Sequence, residues 1–315
     1  MNEKPYYALD QYLKETFGEK IYKIALDAGM TCPNRDGKLG TRGCIFCSEG
    51  GSGDFAAKQA ASISEQLSQG LTYFKEKKVG NRFIAYFQSY TNTYAPVSRL
   101  QEVFESALRE DHIAGISIAT RPDCLSEEII LLLQRLQTAY SDKFIWVELG
   151  LQTIHEKTAG YIRRGYPLSV FEKAVSDLHH IGIPVIVHVI LGLPGENKSM
   201  MLQTCQYLNH LSVFGIKLQL LHVLQYTDLA DDYQKGLFEV LSLEDYLDIV
   251  ISCLEVLSPD IVIHRVTGDG PKDILIAPLW SCNKRNVLNS LHKEMKNRNT
   301  WQGRLYHDTG PIDTL

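Results

Sequence analysis

Three cysteines, Cys32, Cys44 and Cys47, fall in the stretch "MTCPNRDGKLGTRGCIFCSEGGSGDF", which is rich in glycine and charge and holds no histidine. Clustered thiols in a reducing compartment point to metal or redox chemistry rather than to disulfides. The spacing is Cys-x11-Cys-x2-Cys. Two residues between Cys44 and Cys47 let both thiolates turn toward one centre, while the longer loop brings Cys32 from another side. A redox Cys-x2-Cys pair has no need of Cys32. Structural zinc is almost always held by four ligands, yet the first histidine is His112 and the next cysteine is Cys124, so zinc here needs a ligand from a distant element or from solvent. Three thiolates with one coordination position open suit a [4Fe-4S] cluster whose fourth iron binds something else. Gly43 permits a turn that a side chain would obstruct, and Gly50, Gly51 and Gly53 let backbone approach a bulky inorganic group.

The elements that must position this loop alternate along the chain. Strand patterns run over Ile21 to Leu26, Phe83 to Gln88, Gly115 to Ala119, Phe144 to Leu151, Pro184 to Leu191 and Ile216 to Val223, with Ile261 to Val266 as an extra candidate. Several are almost continuously apolar, as strands covered on both faces of a parallel sheet are. Helical stripes fall between them: Ile63, Leu67, Leu71 and Phe74 form one, and Leu243, Leu247, Val250, Ile251 and Leu254 another, opened by Ser242 with Asp245 three residues on. Ser98 to Leu108, Ser126 to Leu136, Leu168 to His180 and Lys198 to Leu211 fill the remaining gaps. The expected fold is α/β, six β/α units in a partial barrel or an open doubly wound sheet. Residues 1–20 form an N-terminal extension, 21–258 the core and 259–315 a C-terminal extension. Ligands of such sheets gather at the carboxyl ends of the strands, and the cysteine loop follows the first strand onto that rim.

The chain has 315 residues and a formal charge of −5, so its average surface does not advertise nucleic acid. The tail is a local exception. Ser281 to Arg304 carries Lys284, Arg285, Lys293, Lys296, Arg298 and Arg304 against the single acid Glu294, which reads equally as a solvated helix face or an RNA contact. No basic stretch leads into an apolar core at the N-terminus, and no apolar run reaches the roughly 18 residues of a membrane span. A cytoplasmic protein without a membrane partner is expected.

Three cysteines in the loop after the first strand of a β/α series resemble those of a radical S-adenosylmethionine (SAM) enzyme. "CPNRDG" before "GCIFCSEGGSGDF", with "ATRPD", "VELGLQT", "ILGLPGE" and "TGDGPKDILIAPLWSCNKR", is similar to the YhcC/YtqA-type branch, itself similar to the radical SAM domain of the Elongator catalytic subunit. The resemblance implies a TIM-like partial (β/α)6 barrel of the radical SAM type. It implies that Cys32, Cys44 and Cys47 each ligate one iron, that SAM takes the fourth, and that one electron from the cluster cleaves SAM to a 5′-deoxyadenosyl radical that abstracts hydrogen. A low-potential electron donor such as flavodoxin or ferredoxin is the implied partner.

By the same resemblance Phe46 packs near the adenine, or is plain packing, and Glu148 and Gln152 contact the ribose or amino acid portion of SAM. Glu148, Gly150 and Gln152 alternate with period two, so they share one side of their strand. A carboxylate in an apolar strand is costly without a partner, which favours a functional role for Glu148. Where many relatives have a Gly-Gly-Glu-like stretch, this chain reads "YFQSYTNTY", and Gln88 and Ser89 are assigned to the SAM amino group. Gly192, Pro194 and Gly195 are expected as the turn beside the adenine or the SAM carboxylate. His188 reads as a buried, hydrogen-bonded histidine, with acid–base work as the alternative. Arg121 and Asp123 pair with each other or serve the rim. Cys205 and Cys253 are core residues, and Cys124 and Cys282 are better placed for chemistry yet expected to be inert.

For the substrate, Trp301 within the basic tail, Lys284 and Arg285 at its head, and Tyr90 and Tyr94 near the rim suit RNA phosphates and unstacked bases. The resemblance implies action on tRNA wobble uridine, in its concrete form conversion of a carboxymethylaminomethyl substituent to aminomethyl. A radical SAM enzyme for a small metabolite and a non-catalytic, zinc-stabilised RNA-binding protein are the alternatives.

Overall fold

The apolar runs form a single curled parallel sheet in a computed structural model that describes residues 4–51, 62–75, 80–268 and 270–307. Gly53 of the cysteine loop lies outside the described residues. After α1 (Leu9–Phe17) come β1 (Tyr22–Leu26), α2 (Ile63–Lys75), β2 (Phe83–Phe87), α3 (Val97–Leu108), β3 (Ile113–Thr120), α4 (Glu127–Ala139) and β4 (Phe144–Gln152). The chain continues through α5 (Glu156–Tyr161), α6 (Leu168–His180), β5 (Val185–Leu191), α7 (Lys198–Asn209) and β6 (Gly215–Leu220). It ends with β7 (Val223–Leu224), α8 (Asp228–Gln234), α9 (Leu243–Val256), β8 (Val262–Arg265), β9 (Leu275–Ala277) and α10 (Lys284–Asn297).

The sheet order is β1-β2-β3-β4-β5-β6-β8, parallel throughout, while β7 and β9 make a short antiparallel pair. The extra candidate strand is therefore a seventh member of the sheet, hydrogen-bonded to β6. It extends the six-unit barrel past residue 258.

The sheet is curved into a half-barrel, and side-chain reach proves it. Neighbouring strands lie about 4.8 Å apart, so β2 and β6, four steps apart, would be roughly 19 Å from each other in a flat sheet. Lys217 Nζ on β6 nevertheless donates to the Tyr86 hydroxyl on β2 at 3.0 Å. Both side chains point to the concave face.

Outside, the helices bury apolar stripes against the convex face in one large core that includes Leu67, Phe104, Leu133, Phe171, Leu208 and Leu254. The Ser242 hydroxyl caps α9 by accepting from the Asp245 amide at 3.0 Å, as its sequence pattern requires. Inside, the amino end of the barrel is plugged. Leu13 of α1 packs with Ile21, Ile84, Ala114, Trp146 and Ile186 at the strand starts, and Tyr12 meets Trp146 and Phe214. With that end filled, the cavity among the described residues lies toward the carboxyl rim. No helix among the described residues is long and apolar enough to cross a membrane.

Candidate active site

Between the plug and the rim, each strand of the sheet contributes one polar side chain to an internal layer: Lys23, Tyr86, Ser117, Glu148, His188, Lys217 and Arg265. Glu148 is its hub. One carboxylate oxygen accepts from Lys23 Nζ at 2.7 Å and the Ser117 hydroxyl at 2.6 Å. The other accepts from His188 Nε2 at 2.7 Å and from the Lys217 ammonium. Burial alone would raise the Glu148 pKa, but Lys217, Lys23 and the His188 hydrogen bond outweigh it and hold the carboxyl well below its usual range. Lys217 moves down from the ordinary lysine value because burial, aided by Lys23 and Arg265, outweighs Glu148. His188 is pushed down to about 4 by burial and Lys217, against Glu148. It is therefore neutral near pH 7, with Nε2–H donating to Glu148 and Nδ1 accepting from Gln219 Nε2 at 3.2 Å.

Above this layer a cavity of about 260 Å³ reaches the rim, and its walls carry all three loop cysteines. The loop is folded by its own backbone. The Arg35 and Asp36 amides donate to Cys32 O, and the Cys47 amide closes a turn onto Cys44 O at 3.0 Å. Gly43 adopts φ 76°, and a Cβ there would strike the Arg35 guanidinium, which donates to the carbonyls of Cys47 and Ser48. Gly51, at φ 54°, leaves no room for a Cβ against the Tyr90 ring. Asn34 Nδ2 spans Cys44 Sγ at 3.3 Å and Arg163 O at 2.7 Å, tying the loop to the residues after α5.

The thiols suit a bound cluster. A hydrogen bond to Cys47 brings Cys44 down to about 7 against the upward pull of burial, with Asn34, Arg121 and Arg35 assisting. The same bond and burial push Cys47 up. Among the described residues no three Cys, His, Asp or Glu side chains converge as ligands for one metal ion. A [4Fe-4S] cluster would instead take each thiolate on a separate iron, and Asn34 Nδ2 beside Cys44 Sγ is placed to donate to a ligating sulfur.

Of the residues expected to bind the cofactor, Phe46, Gln88, Glu148 and Gln152 line this cavity with the cysteines. Phe46 also leans on a rim cluster that includes Ile45, Ile162 and Leu229. Gln152 follows a bulge at the end of β4, sits at φ 66°, and keeps a buried Oε1 without a hydrogen-bond partner. Tyr90 and Arg163, at φ 59° and 56°, are further left-handed residues beside the loop. Such strain persists where surroundings over-determine it, and it gathers at functional sites.

Ser89, Gly192, Pro194 and Gly195 are not among the lining residues. Ser89, one residue past Gln88 in the segment after β2, is buried with an unpaired hydroxyl. Gly192 turns at φ 88° against Leu241, carrying the chain outward to α7. Lys284 and Arg285 also lie off the cavity, exposed on the first turn of α10.

Arg121 and Asp123 do pair, through two hydrogen bonds at 2.9 and 2.8 Å, and Arg121 lies over the Tyr166 ring. Cys205 and Cys253 are fully buried, burial pushes Cys124 up to about 12, and Cys282 is exposed. Lys23, Tyr86, Ser117 and Lys217 were not singled out from sequence. The available signal was a hydrophilic residue recurring at one position in otherwise apolar strands, as in "YKIAL" and "GIKLQL".

The sequence matches the Radical SAM superfamily over residues 38–208 and the Radical_SAM C-terminal domain over residues 213–297. It is 45% identical to the uncharacterized protein YtqA of Bacillus subtilis, across 96% of this chain and 94% of that one. It is 35% identical to YhcC of Escherichia coli, across 86% of each. A tRNA uridine(34) acetyltransferase of Methanocaldococcus jannaschii is 24% identical over 56% of this chain and 32% of its own length. The solved structure of Elp3 from Methanocaldococcus infernus, lacking its N-terminus, superposes with a TM-score of 0.67 at 15% identity, covering 90% of this chain and 64% of that chain. The matched span and the near full-length identity to YtqA establish that the chain belongs to the radical SAM superfamily.

Proposed function

We propose that this radical SAM enzyme modifies tRNA at the 5-substituent of the wobble uridine, the concrete reaction being oxidative cleavage of a carboxymethylaminomethyl group, which would leave the aminomethyl base and release the two-carbon fragment with water as glyoxylate, SAM serving as the two-electron oxidant. Family membership brings a [4Fe-4S] cluster and SAM as cofactors and a need for a reductant. When bound, they supply one-electron cleavage of SAM and a radical able to take hydrogen from an unactivated carbon. In this reading Cys32, Cys44 and Cys47 hold three irons, Arg35 and Asn34 fix the loop around them, and Phe46, Gln88 and Gln152 line the space for SAM. Glu148 anchors the layer beneath. The plug around Leu13 and Trp146 keeps water from the sealed end.

The observation that supports the substrate class is the alignment of more than half the chain with a protein named for acting on uridine 34 of tRNA. A stacked base has to be splayed out to reach a recessed cavity, and Lys284 and Arg285 are proposed to meet the RNA backbone. Nucleoside analysis of tRNA from a strain lacking this protein tests the reading. The expected result is accumulation of the carboxymethylaminomethyl nucleoside at the wobble position; an unchanged nucleoside profile contradicts it.

A further inference from the structure

Among the described residues, two lysines of the polar layer share one carboxylate: Lys23 and Lys217 both pair with Glu148. His188 adds no compensating charge, being held neutral by burial and Lys217. The Glu148 oxygens already accept from four donors. Buried charge is costly unless it is paired and hydrogen-bonded, so among the described residues this pair of lysines is left one carboxylate short.

The cavity offers a place for one. Lys217 is only 7% exposed through its side chain, yet it lines the cavity together with His188, Gln219 and Arg265. An ammonium has three N–H donors, and the hydrogen bonds of Lys217 to Glu148 and Tyr86 use two. We propose that this floor is a carboxylate subsite for the substrate, with the Lys217 ammonium as the principal contact and Gln219 and Arg265 beside it. The subsite deepens the tRNA reading and rests on it for the identity of the substrate, because the substituent proposed there ends in a carboxylate. SAM carries a carboxylate too, so the two sources must be told apart.

Two measurements on the cluster-containing protein separate them. Equilibrium dialysis compares SAM affinity in the wild type, Lys217→Met and Lys217→Arg. Affinity in Lys217→Met is expected to stay within about threefold of wild type, since a substrate subsite does not hold SAM; a larger loss gives the floor to SAM and overturns the proposal. Calorimetry then titrates SAM-loaded protein with N-methylglycine and with its neutral amide. The acid is expected to bind roughly tenfold or more tighter than the amide, as a charge-assisted contact requires. Lys217→Met should abolish that preference and Lys217→Arg should keep it.

Equal binding of acid and amide, no binding of either, or a preference that survives in Lys217→Met contradicts the subsite. Thermal melting confirms that each variant is folded, and Lys217→Arg keeps the test decisive if Lys217→Met is not. No tRNA enters these measurements. Failure of the tRNA reading would show as unchanged nucleosides alongside an intact carboxylate preference.

Discussion

Glu148 on β4 and Lys217 on β6 are ion-paired inside the barrel although β5 runs between them, and both side chains are almost closed to water. His188, on the intervening strand, donates to the same carboxylate oxygen. The curl of the sheet thus converts three separate strands into one buried network.

Glu148→Gln tests how much the fold depends on that network. The substitution leaves Lys23 and Lys217 facing each other without their shared counter-charge. Removing one partner from a buried pair costs about 3–5 kcal/mol, so a loss of about 3 kcal/mol in denaturant unfolding is expected. A change below about 1 kcal/mol would show that solvent, not Glu148, neutralises the lysines.

The acid dependence of stability tests His188. Its folded pKa of about 4 lies below the ordinary value of 6.5. Between those two values the unfolded chain binds a proton that the folded chain does not, so stability falls as pH drops through that window, by up to about 1.4 kcal/mol per pH unit. His188→Gln keeps a hydrogen-bonding side chain without this titration. Its unfolding free energy should fall less steeply than that of the wild type from pH 6.5 to 4, and parallel curves contradict the neutral assignment.

The three loop cysteines are tested by composition. Anaerobically purified protein should be brown, with about four irons and four sulfides per chain. Cys32→Ala, Cys44→Ala and Cys47→Ala should each lose both together, whereas Cys124→Ala, whose thiol burial keeps protonated, should retain them. One zinc per chain and no colour contradicts the assignment.

How far the site was legible in sequence follows from geometry. The cysteine loop was readable because its spacing is local, and the strands because continuous apolar runs mark a sheet covered on its outer face. Ile261 to Val266 reads only as an extra candidate because short β8 ends in the hydrophilic pair His264 and Arg265. The polar layer was largely hidden for the same reason: Lys23 and Lys217 look like solvated positions until curvature brings β1 and β6 around Glu148. Gln88 and Ser89 are expected to act together, but both follow the last residue of β2, where no strand register fixes their direction, and of the two only Gln88 lines the cavity. Gly192, Pro194 and Gly195 follow β5, whose exit toward α7 cannot be read from the glycines themselves.

Lys284 and Arg285 offer a test of the RNA surface that separates binding from stability. Both lie in the first turn of α10, which contains no acid. Cations are disfavoured at that positive end of the helix dipole, so the double substitution Lys284→Glu with Arg285→Glu removes an unfavourable charge arrangement there, and thermal melting checks that the fold is kept. It should weaken tRNA binding about tenfold at low salt and flatten the salt dependence by about two contacts. Unchanged affinity and slope would remove α10 from the interface.

The most direct test of the proposed activity is anaerobic turnover of the reconstituted protein with SAM, a reductant and tRNA bearing the carboxymethylaminomethyl uridine, read by mass spectrometry of nucleosides and small products. The expected result is formation of 5′-deoxyadenosine together with the aminomethyl nucleoside, both abolished by Cys44→Ala. Production of 5′-deoxyadenosine with every tRNA nucleoside unchanged would contradict it.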